Sequence, residues 1–252
     1  MINVYNESSL HKTLKNFYSA QEGFREEVSE DGHIYDILCP DGSVIEIQTK
    51  NLSKLFSKIK DALSKGRKCR IIYPLIIQKE IILLKKDGTQ ISARKSPKKN
   101  SIYDLFSELT GLYPILLDKN FTLEVLLITA QEIRTQTDCP VQSKNKKRRF
   151  KTDWIKTDKK LKEIHETKIF STKEDYLNLL PENLNDEFSV KDLEKCLKEI
   201  KGLPKTAASN TSLMVWVLVR MNLIKQTGTK GKARIYKINR QQSEIEQYGF
   251  FK

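Results

Sequence analysis

The sequence contains few of the residues that build metal clusters and disulfide frameworks. Its cysteines stand at positions 39, 69, 139 and 196, and its histidines are His11, His33 and His165. No Cys-x-x-Cys pair occurs, and no Cys/His group has the spacing of zinc ligands. This scarcity disfavours a zinc site, a disulfide framework and a Ser-His-Asp triad, and it predicts reduced thiols in a cytoplasmic protein.

Long apolar segments are also missing. No run of about 18 apolar residues exists, which disfavours a transmembrane helix. The first seven residues lack the basic and apolar regions of a secretory signal. The 252 residues are 38% hydrophobic and 31% charged, which is typical of a globular protein rather than a disordered or membrane protein. We therefore expect a cytoplasmic protein with no membrane partner.

Positive charge is what the sequence has in excess. Lys plus Arg number 45 against 32 for Asp plus Glu, a formal net charge of +13. Such a surplus favours contact with a polyanion, and nucleic acid is the usual one. The alternative is that the lysines serve solubility and reflect a lysine-rich genome. The stretch 143–151 alone holds six basic residues and no acid, and it is predicted to be a basic linker or arm.

The first part of the chain has the pattern of an α/β domain with a mixed sheet. Asp-Gly pairs at 31–32 and 41–42 predict hairpins between the first three strands. The apolar spacing predicts helices at 5–20, 52–65 and 101–110, a helix-like segment at 121–133, and strands at 23–28, 33–38, 43–48, 69–77, 80–85 and 90–93. This order predicts a sheet with a helix packed across it.

The last third has a different organisation. Helices are predicted at 172–180, 188–199 and 206–221, followed by a hairpin over 223–238 with a basic turn. Ser189 and Asp192 form a capping-box pattern. The predicted core of the third helix is Met214, Val215, Trp216 and Val217. Helix, turn, helix and basic hairpin is the pattern of an α+β winged helix-turn-helix domain. The predicted division is 1–137, a basic linker at 138–157, and 158–242.

Two carboxylates stand on neighbouring predicted strands. Asp36 lies on the second strand and Glu46 on the third, and the tight turn at 41–42 brings the two together. Gln48 shares a strand face with Glu46. Two carboxylates beside a polar group suit Mg²⁺, which prefers hard oxygen ligands and keeps several waters. The alternative is that these side chains are merely the exposed face of an edge strand.

The order of these residues resembles the PD-(D/E)XK nuclease superfamily, whose motif is Asp, a gap and Glu-x-Lys. Glu46-Ile47-Gln48 matches that motif with Gln in place of Lys, and an alternative register uses Gln48-Thr49-Lys50. The resemblance implies that Asp36 and Glu46 bind Mg²⁺ or Mn²⁺. It implies that Gln48 or Lys50 positions the attacking water, and that Glu7 assists from the first helix.

Segments along almost the whole chain also resemble an uncharacterised family of prokaryotic proteins. They are SLHKTLKNFY, YDILCPDGSVIEIQTKNLSKLFSKI, RIIYPLIIQKEIILL, RKSPKK and FTLEVLLI. In that family EIQT near the N-terminus accompanies a C-terminal winged helix. The resemblance carries no established activity, but it implies that Glu46 and Gln48 belong to one motif.

Three groups of polar residues are candidates for binding nucleic acid. Arg94, Lys95, Lys98 and Lys99 form a basic loop in the first domain, and the predicted recognition helix begins with Lys205, Thr206, Ser209 and Asn210. The predicted wing carries Lys230, Lys232 and Arg234. Such side chains suit contacts to phosphates and base edges. Winged helices also mediate contacts between proteins, and that alternative remains open.

Together these features predict a metal-dependent DNA endonuclease of the restriction type that hydrolyses phosphodiesters. A double-strand cut would need a homodimer, because one site serves one strand. A second hypothesis is a DNA-binding regulator whose nuclease-like domain serves dimerisation or ligand sensing, and the missing Lys of Glu-x-Lys favours it. A third is an RNA-processing nuclease that uses the same site.

Overall fold

The computed structural model describes residues 8–143 and 149–239. The described residues form a mixed α/β structure with a seven-stranded sheet, a separate three-stranded sheet, and helices. This confirms the predicted α/β class and the mixed sheet. Within the described residues, no helix combines the length and apolarity needed to cross a membrane. The four cysteines are free thiols, as predicted.

The first elements are helix α1 (Ser9–Ser19) and an antiparallel meander of β1 (Arg25–Glu30), β2 (His33–Leu38) and β3 (Val44–Ile47). Strands β1 and β2 pair from Arg25↔Leu38 to Glu30↔His33, which leaves a two-residue turn at Asp31-Gly32. Both turn residues have positive φ, 55° and 78°. Because Asp and Gly tolerate this left-handed conformation, the predicted hairpin forms where expected.

Helix α1 packs on the sheet through its apolar face. Leu10 and Leu14 are fully buried in a core cluster to which four strands contribute. The sheet members of this cluster are Ile37, Ile45, Ile47, Ile72, Leu126, Ile128 and Ala130. Burial of these side chains fixes α1 against β2 and β3, the two strands that carry the predicted acidic pair.

The long strands of the sheet are β4 (Cys69–Leu84), β6 (Phe121–Val141) and β7 (Thr152–Phe170), and β5 (Gln90–Lys95) pairs with β4. The strand order is β1-β2-β3-β4-β6-β7. The helix predicted at 121–133 is wrong, because this segment belongs to β6. Its residues are mostly buried between β4 and β7, so the apolar run lacks the alternation of a half-exposed strand.

Two compact units divide the chain, and neither follows the predicted boundaries at 137, 138–157 and 158–242. One unit comprises Met1–Thr49, Arg70–Asn100 and Glu124–Lys168; the other comprises Lys50–Cys69, Ser101–Leu123 and Ile169–Lys252. Residues 138–141 and 152–157 lie in strands β6 and β7 rather than in a linker. Strands β6 and β7 are neighbours in the sheet, and the hydroxyls of Thr135 and Thr157 lie 3.1 Å apart.

The second unit contains α2 (Phe56–Ser64), α3 (Phe106–Leu109), α4 (Lys173–Leu177), α5 (Val190–Glu199) and α6 (Thr211–Arg220). Short 3-10 helices precede α2, α3 and α6 at Leu52–Leu55, Ile102–Leu105 and Ala207–Asn210, and another lies at Tyr113–Ile115. Its sheet has the order β8-β10-β9, formed by Glu187–Phe188, Ala233–Ile238 and Ile224–Lys230. The predicted capping box of Ser189 and Asp192 is present.

Helix α6 differs from its prediction at one residue. Met214, Val215 and Val217 are buried as expected, but Trp216 is 40% exposed. The prediction placed four consecutive residues in the core, whereas a helix turns 100° per residue and cannot bury four in succession against one neighbour. Trp216 instead meets Tyr113 edge-on, with ring centroids 5.4 Å apart.

Candidate functional site

Asp36 and Glu46 form the centre of the candidate site. The pairing Ile37↔Ile45 in β2 and β3 places them opposite each other. The backbone N–H of Asp36 donates to Oε1 of Glu46 at 3.2 Å, and the N–H of Ile47 donates to Oδ2 of Asp36 at 2.8 Å. Each carboxylate therefore accepts a hydrogen bond from the strand that carries the other. Glu46 is 2% exposed, whereas the Asp36 side chain is 25% exposed.

His11 joins this pair, and sequence reasoning missed it. Its Nε2 lies 2.8 Å from the carbonyl oxygen of Ile47 and 3.5 Å from Oδ2 of Asp36. The contact follows from the packing of α1, because His11 neighbours the buried Leu10 on the side of the helix that faces the strands. The position of His11 in the sequence could have indicated this contact. Residue 11 lies four after Glu7, so a helix that aimed Glu7 at the strands would aim residue 11 there too.

The remaining predicted catalytic residues are placed differently. Gln48 follows β3, and its backbone N–H donates to the carbonyl of Ile72 at 3.0 Å, which ties this position to β4. Lys50 is exposed. Glu7 lies outside the described residues. The structure therefore brings together His11, Asp36 and Glu46, with Gln48 two residues further along the chain.

The donor set suits a hard divalent cation. Asp36 and Glu46 offer carboxylate oxygens, and Mg²⁺ is commonly bound by one or two carboxylates with water completing its shell. Across 8–143 and 149–239, no group of three or more His, Cys, Asp or Glu residues is arranged to hold a metal ion. Among the described residues, Asp36 and Glu46 are therefore the carboxylates that an ion at this position would take, with water as further ligands.

The predicted basic loop lies at the end of β5. Arg94, Lys95, Lys98 and Lys99 are all exposed. Ser96 between them is buried, and its backbone N–H donates to the carbonyl of Lys79 at 2.7 Å. The loop prediction is therefore wrong for Arg94 and Lys95, which end strand β5, because they pair with Ile81 and Glu80 of β4. Ser96 and Asn100 anchor the segment that carries Lys98 and Lys99.

The candidate residues of the second unit fall into two groups. Lys205, Thr206 and Ser209 are exposed before α6, and Lys230, Lys232 and Arg234 are exposed on the hairpin of β9 and β10. Asn210 is engaged within the protein, because its Nδ2 donates to Oδ1 of Asp104 at 3.1 Å. Its amide is therefore committed to Asp104 in the unbound protein.

A second acidic centre, unpredicted from the sequence, lies at Glu132 on β6. Lys79 and Lys156 each donate to Glu132 at 2.9 Å, and Arg134 donates through Nε and Nη2 at 2.8 and 2.6 Å. The Arg134 guanidinium stacks 3.6 Å from the ring centroid of Trp154. Burial alone would raise the pKa of Glu132, but the hydrogen bonds from the three cations lower it to about 2.

These features define a mixed α/β protein with an acidic pair on two strands, a helix packed over them and exposed basic groups. Residues 8–171 match the family described as Domain of unknown function (DUF8091), and this range contains His11, Asp36 and Glu46. Since the match spans more than half of the sequence, the chain belongs to this family. It is also similar to an uncharacterized protein of Treponema pallidum (strain Nichols), with 31% identity over 192 residues, 76% of this chain and 73% of that protein. No solved structure matches.

Proposed function

We propose that this protein is a metal-dependent endonuclease that hydrolyses phosphodiesters of DNA. The observation that carries the proposal is the geometry of Asp36 and Glu46. They face each other on adjacent strands, and reciprocal backbone hydrogen bonds hold them there. These hydrogen bonds fix the orientation of both carboxylates, and carboxylate oxygens are ligands that Mg²⁺ accepts. A preorganised pair of this kind is what binding a catalytic divalent ion requires.

The order of elements supports a PD-(D/E)XK identity for the larger sheet. Helix α1, the antiparallel strands β1–β3, helix α2 and strand β4 follow one another, with the acids on β2 and β3. We assign a winged helix-turn-helix to α5, α6 and the β9–β10 hairpin. That assignment is supported by the two successive helices and by the exposed basic residues of the hairpin.

Each residue of the site has a distinct role in this proposal. Bound Mg²⁺ or Mn²⁺ supplies an activated water and neutralises charge on the phosphodiester. Asp36 and Glu46 hold the ion, and Gln48 or Lys50 orients the water. His11 fixes the Asp36 carboxylate and the Ile47 carbonyl, and Glu7, outside the described residues, is the sequence's candidate for a further carboxylate.

Nucleic-acid contact is assigned to the exposed cations. Arg94, Lys95, Lys98 and Lys99 suit phosphates at the first unit, and Lys205, Lys230, Lys232 and Arg234 suit phosphates at the second unit. Such contacts fix position without reading sequence, and they weaken steeply with salt. We propose a homodimer for double-strand cleavage, since each site cuts one strand.

The test is cleavage of plasmid DNA, single-stranded DNA and RNA by the full chain with Mg²⁺ or Mn²⁺. Glu46→Gln keeps an oxygen for the Asp36 N–H but removes the charge, and we expect it to lose at least about 100-fold in rate. Glu22→Gln makes the same change at an exposed position and should cut normally. Equal cutting by wild type and Glu46→Gln would overturn the assignment of the site.

The second candidate is a DNA-binding regulator that does not cleave. One observation favours it: both carboxylates already accept backbone hydrogen bonds, and a third acidic, His or Cys metal ligand is missing from the described residues. On this view the pair is structural. Salt-sensitive DNA binding without cutting under any metal, and unchanged by Glu46→Gln, would select the regulator.

A further inference from the structure

Three cations of the larger sheet share one carboxylate. They are Lys79 on β4, Arg134 on β6 and Lys156 on β7, and we call them the cationic cluster. Each of them forms an ion pair with Glu132. Among the described residues, no other carboxylate forms an ion pair with any member of the cluster. Three positive charges against one negative charge leave a surplus of two.

The hydrogen bonds to Glu132 use only part of the donors of the cluster. Lys79 and Lys156 each direct one bond to Oε2 of Glu132, whereas an ammonium group carries three N–H donors. Arg134 directs two of its five N–H donors to Oε1. The Lys79 and Lys156 side chains are 30% and 47% exposed, so an anion in solvent can reach them. The cluster can therefore bind an anion without releasing Glu132.

The protein fixes the cluster before any ligand arrives. Glu132 is almost inaccessible to solvent, and its hydrogen bonds to the three cations are 2.6–2.9 Å long. The Arg134 guanidinium also stacks on the indole ring of Trp154, 3.6 Å from its centroid. Binding to cations that are already ordered loses less side-chain entropy than binding to mobile surface lysines. The arrangement is therefore suited to holding an anion in one place.

Helix α1 connects the cluster to the acidic pair. At the N-terminus of α1, the backbone N–H of Ser9 donates to Oδ1 of Asp158 at 3.0 Å. Asp158 follows Lys156 by two residues on β7, so the two residues share a strand face with their Cα atoms about 7 Å apart. His11, two residues after Ser9, contacts the Asp36 carboxylate. The cluster and the acidic pair therefore both lie beside the first turn of the same helix.

The backbone of DNA has the chemistry that this arrangement requires. Lysine and arginine N–H groups form charge-assisted hydrogen bonds with phosphate oxygens. A duplex carries one negative charge per about 1.7 Å of its axis, so a duplex with one phosphodiester at the acidic pair presents further phosphates close by. A repeating anion of this kind can use both surplus charges of the cluster.

We propose that the cationic cluster binds phosphates of DNA beside the acidic pair. Lys79 and Lys156 donate to phosphate oxygens, and Glu132 holds them in position. This inference rests on the DNA partner of the proposed function, but it does not depend on catalysis. It assigns substrate binding to partly buried side chains of the same unit that carries Asp36 and Glu46.

The test is equilibrium binding of the full chain to a short fluorescein-labelled DNA duplex, measured by anisotropy in EDTA at several salt concentrations. Lys156→Gln removes one phosphate contact, so we expect affinity to fall about fivefold at about 0.1 M salt and the slope of log K against log[salt] to fall by about 0.9. The matched control is Lys168→Gln, which removes the same charge from the same strand. Lys168 pairs with Glu166, so we expect less than about a twofold change.

Glu132→Gln distinguishes phosphate binding from a purely structural role of the cluster. It removes the negative charge and retains an acceptor for the cations, so DNA affinity should rise about threefold. Circular dichroism and Tm establish that each variant is folded. Weaker or unchanged DNA binding by folded Glu132→Gln would overturn the inference.

The remaining outcomes separate this inference from the nuclease proposal. Equal losses of affinity for Lys156→Gln and Lys168→Gln would overturn the inference, even if Glu46 is needed for cleavage. Absence of DNA binding by the wild type would overturn it too. Binding that depends on Lys156, in a protein that cleaves no DNA with any metal, would support the inference and overturn the nuclease.

Discussion

Glu46 and Glu132 are two buried acids of the same sheet with opposite surroundings. Glu46 accepts the backbone N–H of Asp36, so its strand neighbour is another acid. Glu132 accepts hydrogen bonds from Lys79, Lys156 and Arg134. Both side chains are almost inaccessible to solvent. One acid lies beside a like charge, and the other is surrounded by three opposite charges.

The difference separates a structural acid from a candidate functional one. Lys79, Arg134 and Lys156 lie on β4, β6 and β7, so the ionised carboxylate of Glu132 helps to hold these three strands together. Asp36 and Glu46 instead accept hydrogen bonds from backbone N–H groups of each other's strands. The proposal that this pair binds a cation can therefore be tested against Glu132 one acid at a time.

The largest expected effect is on Glu132. Glu132→Ala leaves the partly buried Lys79 and Arg134 and the exposed Lys156 without their carboxylate, so we expect a loss of about 3–4 kcal/mol in the free energy of unfolding. Urea denaturation followed by circular dichroism measures it. The matched control is Glu166→Ala, because Glu166 pairs with Lys168 on the exposed surface of β7 and should cost less than about 1 kcal/mol. Equal losses for the two variants would contradict the structural role of Glu132.

Lowering the pH should also reveal how much the ionised form of Glu132 stabilises the protein. The pKa of Glu132 is about 2 in the folded protein and about 4.5 in the unfolded chain, so its contribution is complete above pH 4.5 and is lost as pH falls toward 2. We expect the wild type to lose about 2 kcal/mol more than Glu132→Gln over that window, after allowance for solvent screening. Unfolding free energies measured between pH 6 and pH 2 test this. Parallel pH profiles would show that the pKa of Glu132 is not lowered by folding.

Local patterns account for the features that were predicted correctly. Asp31-Gly32 has the positive φ values that Asp and Gly favour, and the capping box of Ser189 and Asp192 involves residues three apart. Strand β6 was misread because burial on both faces removes the alternation that distinguishes a strand from a helix. Its pairing with β7 also turned a predicted linker into strands.

The acidic pair could be predicted for a related reason. Asp36 and Glu46 are joined by a tight hairpin, so ten residues of sequence determine their approach. Glu132 meets Lys79 across 53 residues and Lys156 across 24. No short motif encodes those contacts, because they depend on the order of strands in the completed sheet. His11 reaches Asp36 only through the packing of α1.

A smaller effect is expected at His11. Its Nε2 contacts the Ile47 carbonyl and the Asp36 carboxylate, so His11→Ala should weaken Mg²⁺ binding at the acidic pair about tenfold, as loss of a supporting contact commonly does. Calorimetric titration with Mg²⁺ measures this. His33→Ala, on β2 but outside these contacts, is the matched control. Identical affinities for both variants would place His11 outside the site.

The smallest expected effect is the change in stability caused by Glu46→Gln. In metal-free buffer Glu46→Gln removes the repulsion from Asp36 and retains an acceptor for its N–H, so we expect a change within about 1 kcal/mol, toward greater stability. Mg²⁺ at ten times its Kd should stabilise the wild type by about 1.4 kcal/mol and leave Glu46→Gln unmoved. Thermal unfolding with EDTA or Mg²⁺ measures both quantities. If Glu46→Gln destabilises the metal-free protein as strongly as Glu132→Ala does, Glu46 is a structural acid and the contrast between the two sites disappears.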